Sequence, residues 1–136
     1  MADSSATTAG TNATADQYNN LRKDVHLAKT ISATETDGAT ITIDWSLIAS
    51  GKVRNVTLGG NRTIAFSNTT TDQWLIINLI QDGAGSRTVT WPSGIKWPDA
   101  LAPVLSTAAA AIDTFLIHCV GAESSYRGYF AGFNLS

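Results

Sequence analysis

From residue 30 onward the apolar positions of this chain recur every second residue, the period of a β-strand. Thr40 to Trp45 sets Ile41, Ile43 and Trp45 on one face and Thr40, Thr42 and Asp44 on the other. The Asp37-Gly38 pair ahead of it is a turn signal, which predicts residues 30–35 as the partner strand of a hairpin. Lys52–Leu58 and Arg62–Phe66 flank Gly59-Gly60-Asn61, the pattern of a second hairpin. Gln73–Gln81 is apolar on both faces except at Asn78, which predicts a central strand covered on both sides. Arg87–Trp91 alternates again. Ile112–Val120 sets Phe115, Ile117 and Cys119 opposite Leu116, His118 and Val120, and Tyr126–Leu135 closes the chain.

These segments amount to about eight short strands separated by turn residues, which predicts an all-β fold: an antiparallel β-sandwich or a jelly-roll-like domain. Leu101–Ala111 is ambiguous: Pro103 opposes a helix through that point, and Thr107–Ala111 stays open between a helical turn and an exposed linker. No internal repeat is visible.

Before residue 30 the period is helical. Thr14 and Gln17 fit a capping box, and Tyr18, Leu21, Val25 and Ala28 follow at spacings of three, four and three. The reading is an N-terminal arm, 1–29, with one short α-helix, joined to a β-domain, 30–136. Two heptads do not hold a helix alone in water, so the stripe is expected to bury itself against its own domain, symmetry-related copies or a host surface.

At 136 residues the chain suits one core, hiding roughly two-thirds of the unfolded surface. Charged residues are 15% of the chain, below the usual quarter or so, which leaves a surface weakly protected against association. A net charge of -2 with scattered basic residues gives no footprint for nucleic acid. A single cysteine, Cys119, forms no intramolecular disulfide. No apolar run reaches membrane-spanning length, and residues 1–10 lack the basic and apolar regions of a signal peptide; synthesis in a cytoplasm without membrane insertion is expected.

The inventory for chemistry is short. His118 and Cys119 are adjacent in a strand and point to opposite faces, so they make no nucleophile–base pair. His26 lies one position from the apolar stripe, where a surface or interface contact is expected. Asp82, Asp99 and Asp113 are separated by loops; Asp82 reads as a turn residue and Asp113 as a backbone hydrogen-bonding one. The 82–86 loop has too few oxygen ligands for calcium, and lacks the helix and lysine of a phosphate cradle. No catalytic, cofactor or metal site is expected. Among the aromatics, Trp45, Trp74 and Trp91 fall on apolar faces, whereas Trp97, in a loop between Lys96 and Pro98, is the candidate ligand contact, with a host-surface glycan as the ligand.

Two segments together, Asn61–Asn68 and Trp74–Pro92, resemble a β-module of tailed-phage virion proteins. Ile95-Lys-Trp-Pro98, Pro103–Thr107, Asp113 and the closing Tyr126–Phe133 strand extend the resemblance over about residues 38–135. Tyr18–Asp24 separately resembles a motif near the start of phage fibre and tail proteins. The resemblance implies a structural virion protein without enzymatic activity, commonly a homotrimer, in capsid decoration, head fibres or tail fibres. Because no shaft separates arm from β-domain, capsid decoration or a head fibre is expected, attached to capsid or tail proteins through the arm. In that reading Tyr18, Leu21, Val25 and Ala28 form the oligomer or attachment interface. The alternative is a tail-fibre or receptor- or carbohydrate-binding module at the tail tip, acting through Trp97.

Overall fold

The computed structural model of the chain describes residues 32–50, 53–121 and 125–135. The expected arm, including the helix with Tyr18, Leu21, Val25, His26 and Ala28, lies outside the described residues.

The described chain is all-β. In order, the strands are β1 (Ser32–Thr34), β2 (Thr40–Asp44), β3 (Val53–Leu58), β4 (Arg62–Ser67), β5 (Trp74–Gln81), β6 (Val89–Thr90), β7 (Ile95–Lys96), β8 (Ile112–Cys119) and β9 (Tyr126–Leu135). Short 3-10 turns follow β2 at Trp45–Ser50 and β7 at Pro98–Ala100. A six-stranded sheet has the order β1-β3-β5-β8-β9-β7, and a three-stranded sheet the order β2-β4-β6.

The expectation of antiparallel pairing is corrected by these ladders. Five of the seven strand pairs are parallel, and only β5–β8 and β8–β9 are antiparallel. Neither predicted hairpin forms. Asp37-Gly38 connects β1 to β2 and Gly59-Gly60-Asn61 connects β3 to β4, and in each case the two strands belong to different sheets. Strands β1 to β6 alternate between the sheets, and β1 to β4 each pair with the strand two places on, so the chain winds as a short coil. Parallel neighbours need a long crossover, and here that crossover is itself a strand of the other sheet.

The registers show the rise of this coil. Ser32 lies beside Val53, Val53 beside Ile76, Thr40 beside Thr63 and Arg62 beside Val89. The offset is therefore 21, 23, 23 and then 27 residues as the connecting loops lengthen. That drift, with partners as unlike as Leu58 beside Gln81, hides the repeat from the sequence.

Alternation decides which side chains face inward. In β5, Leu75, Ile77, Leu79 and Gln81 are buried, and in β8, Asp113, Phe115, Ile117 and Cys119. The apolar ones among them join Ile41, Ile43 and Ile64 from the smaller sheet and Val56 and Leu58 from β3 in one buried cluster. Burying each large aliphatic or aromatic side chain is worth roughly 1.5–3 kcal/mol, so this shared cluster holds the two sheets together. On the other face of the large sheet, Asn78 Nδ2 donates to Asn55 Oδ1 (2.9 Å) and Thr114 Oγ1 donates to Asn78 Oδ1 (2.7 Å). Asn78, the polar residue on this outward face of β5, thus stitches three strands.

Candidate functional site

Gln81 to Pro98 carries a glycine-rich loop, an acid and two tryptophans, and the structure assigns each a partner. Gln81 is 3% exposed; its Nε2 donates to the carbonyls of Arg87 and Ser106 (2.9 Å each), and its Oε1 accepts from Arg87 N (2.8 Å). Asp82 Oδ1 accepts from the backbone N–H groups of Ala84 and Gly85, and Arg87 donates to the carboxylate through Nε and Nη2. The loop also grips the 106–111 connection, because Ser86 N donates to Thr107 O (2.9 Å) and Ala110 N to Asp82 O (3.3 Å). Gly85 has φ +69°, and a Cβ there would strike the backbone oxygen of Thr107. No other residue fits. This connection is not a hairpin turn, since β5 and β6 lie in different sheets.

Asp113, Asp37 and Asp44 are occupied in similar ways, whereas Asp99 stands exposed in the turn after β7. Asp113, 1% exposed, accepts from Ser106 N, Ser106 Oγ and Asn134 N at 2.6–3.0 Å. Asp37 holds Arg62 through two 2.7 Å hydrogen bonds, and Asp44 accepts from Ser46 and Asn68. The Arg62 guanidinium lowers the Asp37 carboxyl from its ordinary value, Ser46 and Asn68 lower Asp44, and Arg87 lowers Asp82. Each of these acids stays ionised as a loop anchor and has no tendency to hold a proton for general-acid work. Burial raises the Cys119 thiol, whose Sγ donates to Gly121 O (3.1 Å), so this side chain resists forming the reactive thiolate. Among the described residues no three His, Cys, Asp or Glu side chains gather to hold a metal ion.

The tryptophans divide differently from the sequence expectation. Trp45 is fully buried, edge-on to Phe66 at 5.2 Å, and Trp91 packs against Phe115 at 5.1 Å. Trp97 is only half-buried. One part of its ring lies over Gly128, where any Cβ would strike it, and its edge meets Trp91 at 5.1 Å. Trp74 is the exposed one, at 44%, because it opens β5 in the outward phase. Its indole stacks on the His118 ring at 4.0 Å and 6° across the β5–β8 pair, with Tyr129 6.2 Å away. The expected core position of Trp74 is corrected by that phase.

Trp97 also lines an apolar groove of about 330 Å³ together with Leu101, Val104, Phe130, Phe133 and two prolines. Among the described residues no charged side chain lines it. Leu101 is 73% exposed and Val104 83%, although both are large aliphatic residues. They stand on the Leu101–Ala111 connection, which forms an irregular linker rather than a helix. Sequence reading noted the aromatics of β9 but missed this groove, because it is built by a linker folding beside a strand some 30 residues away. The signal available was two large aliphatic side chains in a proline-bearing loop.

No family model, curated protein or solved structure matches the chain.

Proposed function

We propose that this chain is a structural protein of a tailed-phage particle, built to associate rather than to catalyse. In this reading two sheets act as the layers of a β-sandwich, and the arm 1–29, with its helix and the stripe Tyr18, Leu21, Val25 and Ala28, attaches the domain to capsid or tail proteins. Copies group as a homotrimer, in capsid decoration or a head fibre. The observation that carries the reading is a division of labour among side chains. The acids and bases best able to do chemistry are spent on anchoring loops, whereas large apolar side chains stand exposed around the Trp97 groove. The sequence resemblance to phage virion modules supplies the setting.

The test is composition of the particle. Mass spectrometry of purified phage particles that encode the chain should find it in fixed stoichiometry, and a variant lacking residues 1–28 should be absent from them. A chain missing from particles, or a truncated form incorporated normally, overturns the proposal.

An alternative reading, glycan recognition at a tail tip, is favoured by Trp74 rather than by Trp97. The exposed Trp74 ring sits with Tyr129 beside the imidazole of His118, whose Nε2 is 3.6 Å from Asp72 Oδ1. Aromatic rings flanked by polar groups suit sugars. Glycan-array binding that Trp74→Ala abolishes would promote this reading, and an array without signal would remove it.

A further inference from the structure

We infer that the face formed by Leu101, Val104, Phe130 and Phe133 is where copies of this chain meet. The inference rests on the homo-oligomeric part of the proposed function and moves its contact onto the β-domain.

Area is the first argument. The four side chains are 73%, 83%, 42% and 43% exposed. Together they offer on the order of 450 Å² of apolar surface, as large as the biggest patch of a typical monomer. A standard interface buries about 800 Å² per partner, with an apolar centre inside a polar rim, so this patch suffices for the centre.

Charge gives another argument. Among the described residues no charged side chain lines the groove. Two copies of a chain with net charge -2 repel through any charged face they share, whereas a neutral apolar face is its own complement. A sugar needs polar groups set around the rings, and the described side chains that line this groove are aliphatic, aromatic or proline.

The open edge of β9 adds a third. On that side β7 pairs only with Tyr126 and Arg127, so from Gly128 to Leu135 no further strand is paired there among the described residues. Gly128–Leu135 contains no charge and no proline, the usual guards of an edge strand. Its irregularities, between Phe130 and Gly132 and between Gly132 and Leu135, bend it away from indefinite sheet growth. An edge that is apolar and bent suits a closed contact between a few copies.

The experiment is light scattering on the full-length chain after size exclusion, over a hundredfold range of concentration. The wild-type chain is expected to run as an oligomer, and Val104→Asp combined with Phe133→Asp to dissociate at least tenfold more readily while keeping its β-sheet circular dichroism. Should Phe133→Asp disturb folding, Leu101→Gln combined with Val104→Thr lies wholly on the exposed linker and reads the same shift. A wild-type monomer throughout, or a folded variant with unchanged oligomer size, overturns the inference. So does a variant that keeps its oligomer but no longer joins particles, because the face then belongs to a shell protein. Dissociating variants of a chain never found in particles would sustain this contact while sinking the virion role.

Discussion

The loop from Asp82 to Thr88 and the stretch from Trp97 to Val104 flank the same pair of tryptophans and invite opposite readings. The loop has the outward marks of a site, with an acid, an arginine and two glycines, yet its acid and its arginine are matched to each other. Asp82 has Arg87 and two backbone donors, Gln81 has three main-chain partners, and Gly85 meets Thr107 too closely for any side chain. The Trp97–Val104 stretch has the marks of plain linker, yet it leaves Leu101 and Val104 in solvent beside Phe130 and Phe133. Polar side chains were used up in closing the fold, and apolar ones were left over. In a chain with so few charges, the unmatched surface is the better guide to function than the reactive-looking one.

That contrast breaks first where the polar anchors are removed. Asp113→Ala should lower unfolding free energy by about 4 kcal/mol, because it removes a buried carboxylate that accepts three hydrogen bonds from Ser106 and Asn134; urea melts check this, and a loss under 1 kcal/mol would show that water replaces the carboxylate. Gly85→Ala should cost about 3 kcal/mol through a positive φ and a backbone overlap, read as a lower thermal midpoint. Gln81→Leu keeps the volume and loses three hydrogen bonds, for about 2 kcal/mol in the same assay.

Acid sharpens the comparison next. Asp37, Asp44 and Asp82 have folded values below the ordinary carboxylate one, so their contribution is complete above about pH 4 and is lost as pH falls through the folded values. Thermal midpoints should hold from pH 7 to about pH 5 and drop below about pH 4, less steeply in Asp82→Asn. A midpoint that does not move in acid would mean the carboxylates do not brace the loops. The smallest effect belongs to the linker: Val104→Ser should change stability by no more than about 0.5 kcal/mol, since the side chain is already in solvent. A larger loss would make Val104 part of the fold rather than a free surface.

Much of the fold was legible from periodicity. The alternation of Ile112 to Cys119 placed Phe115, Ile117 and Cys119 inside, and Tyr126–Leu135 was read with its observed limits. The pairing was not legible. Asp37-Gly38 and Gly59-Gly60-Asn61 allow a hairpin or a crossing between sheets equally well, and a strand's inward phase says nothing about which neighbour lies beside it. Trp74 was misplaced for a related reason: β5 is apolar on both faces, so its pattern does not reveal which phase meets the core.

By itself, then, the sequence determined an all-β domain, the inward residues of its alternating strands and the lack of a paired nucleophile in His118-Cys119. Each of these follows from local geometry, because a strand's side chains alternate whatever it packs against. Tertiary structure alone decided that the chain coils in parallel, that Gln81 and Asp113 lock loops from inside, and that the Leu101–Val104 linker lies against β9 to leave an apolar face. Those outcomes depend on contacts between residues far apart in the chain, and the 21- to 27-residue drift of the coil leaves no periodic trace from which to read them.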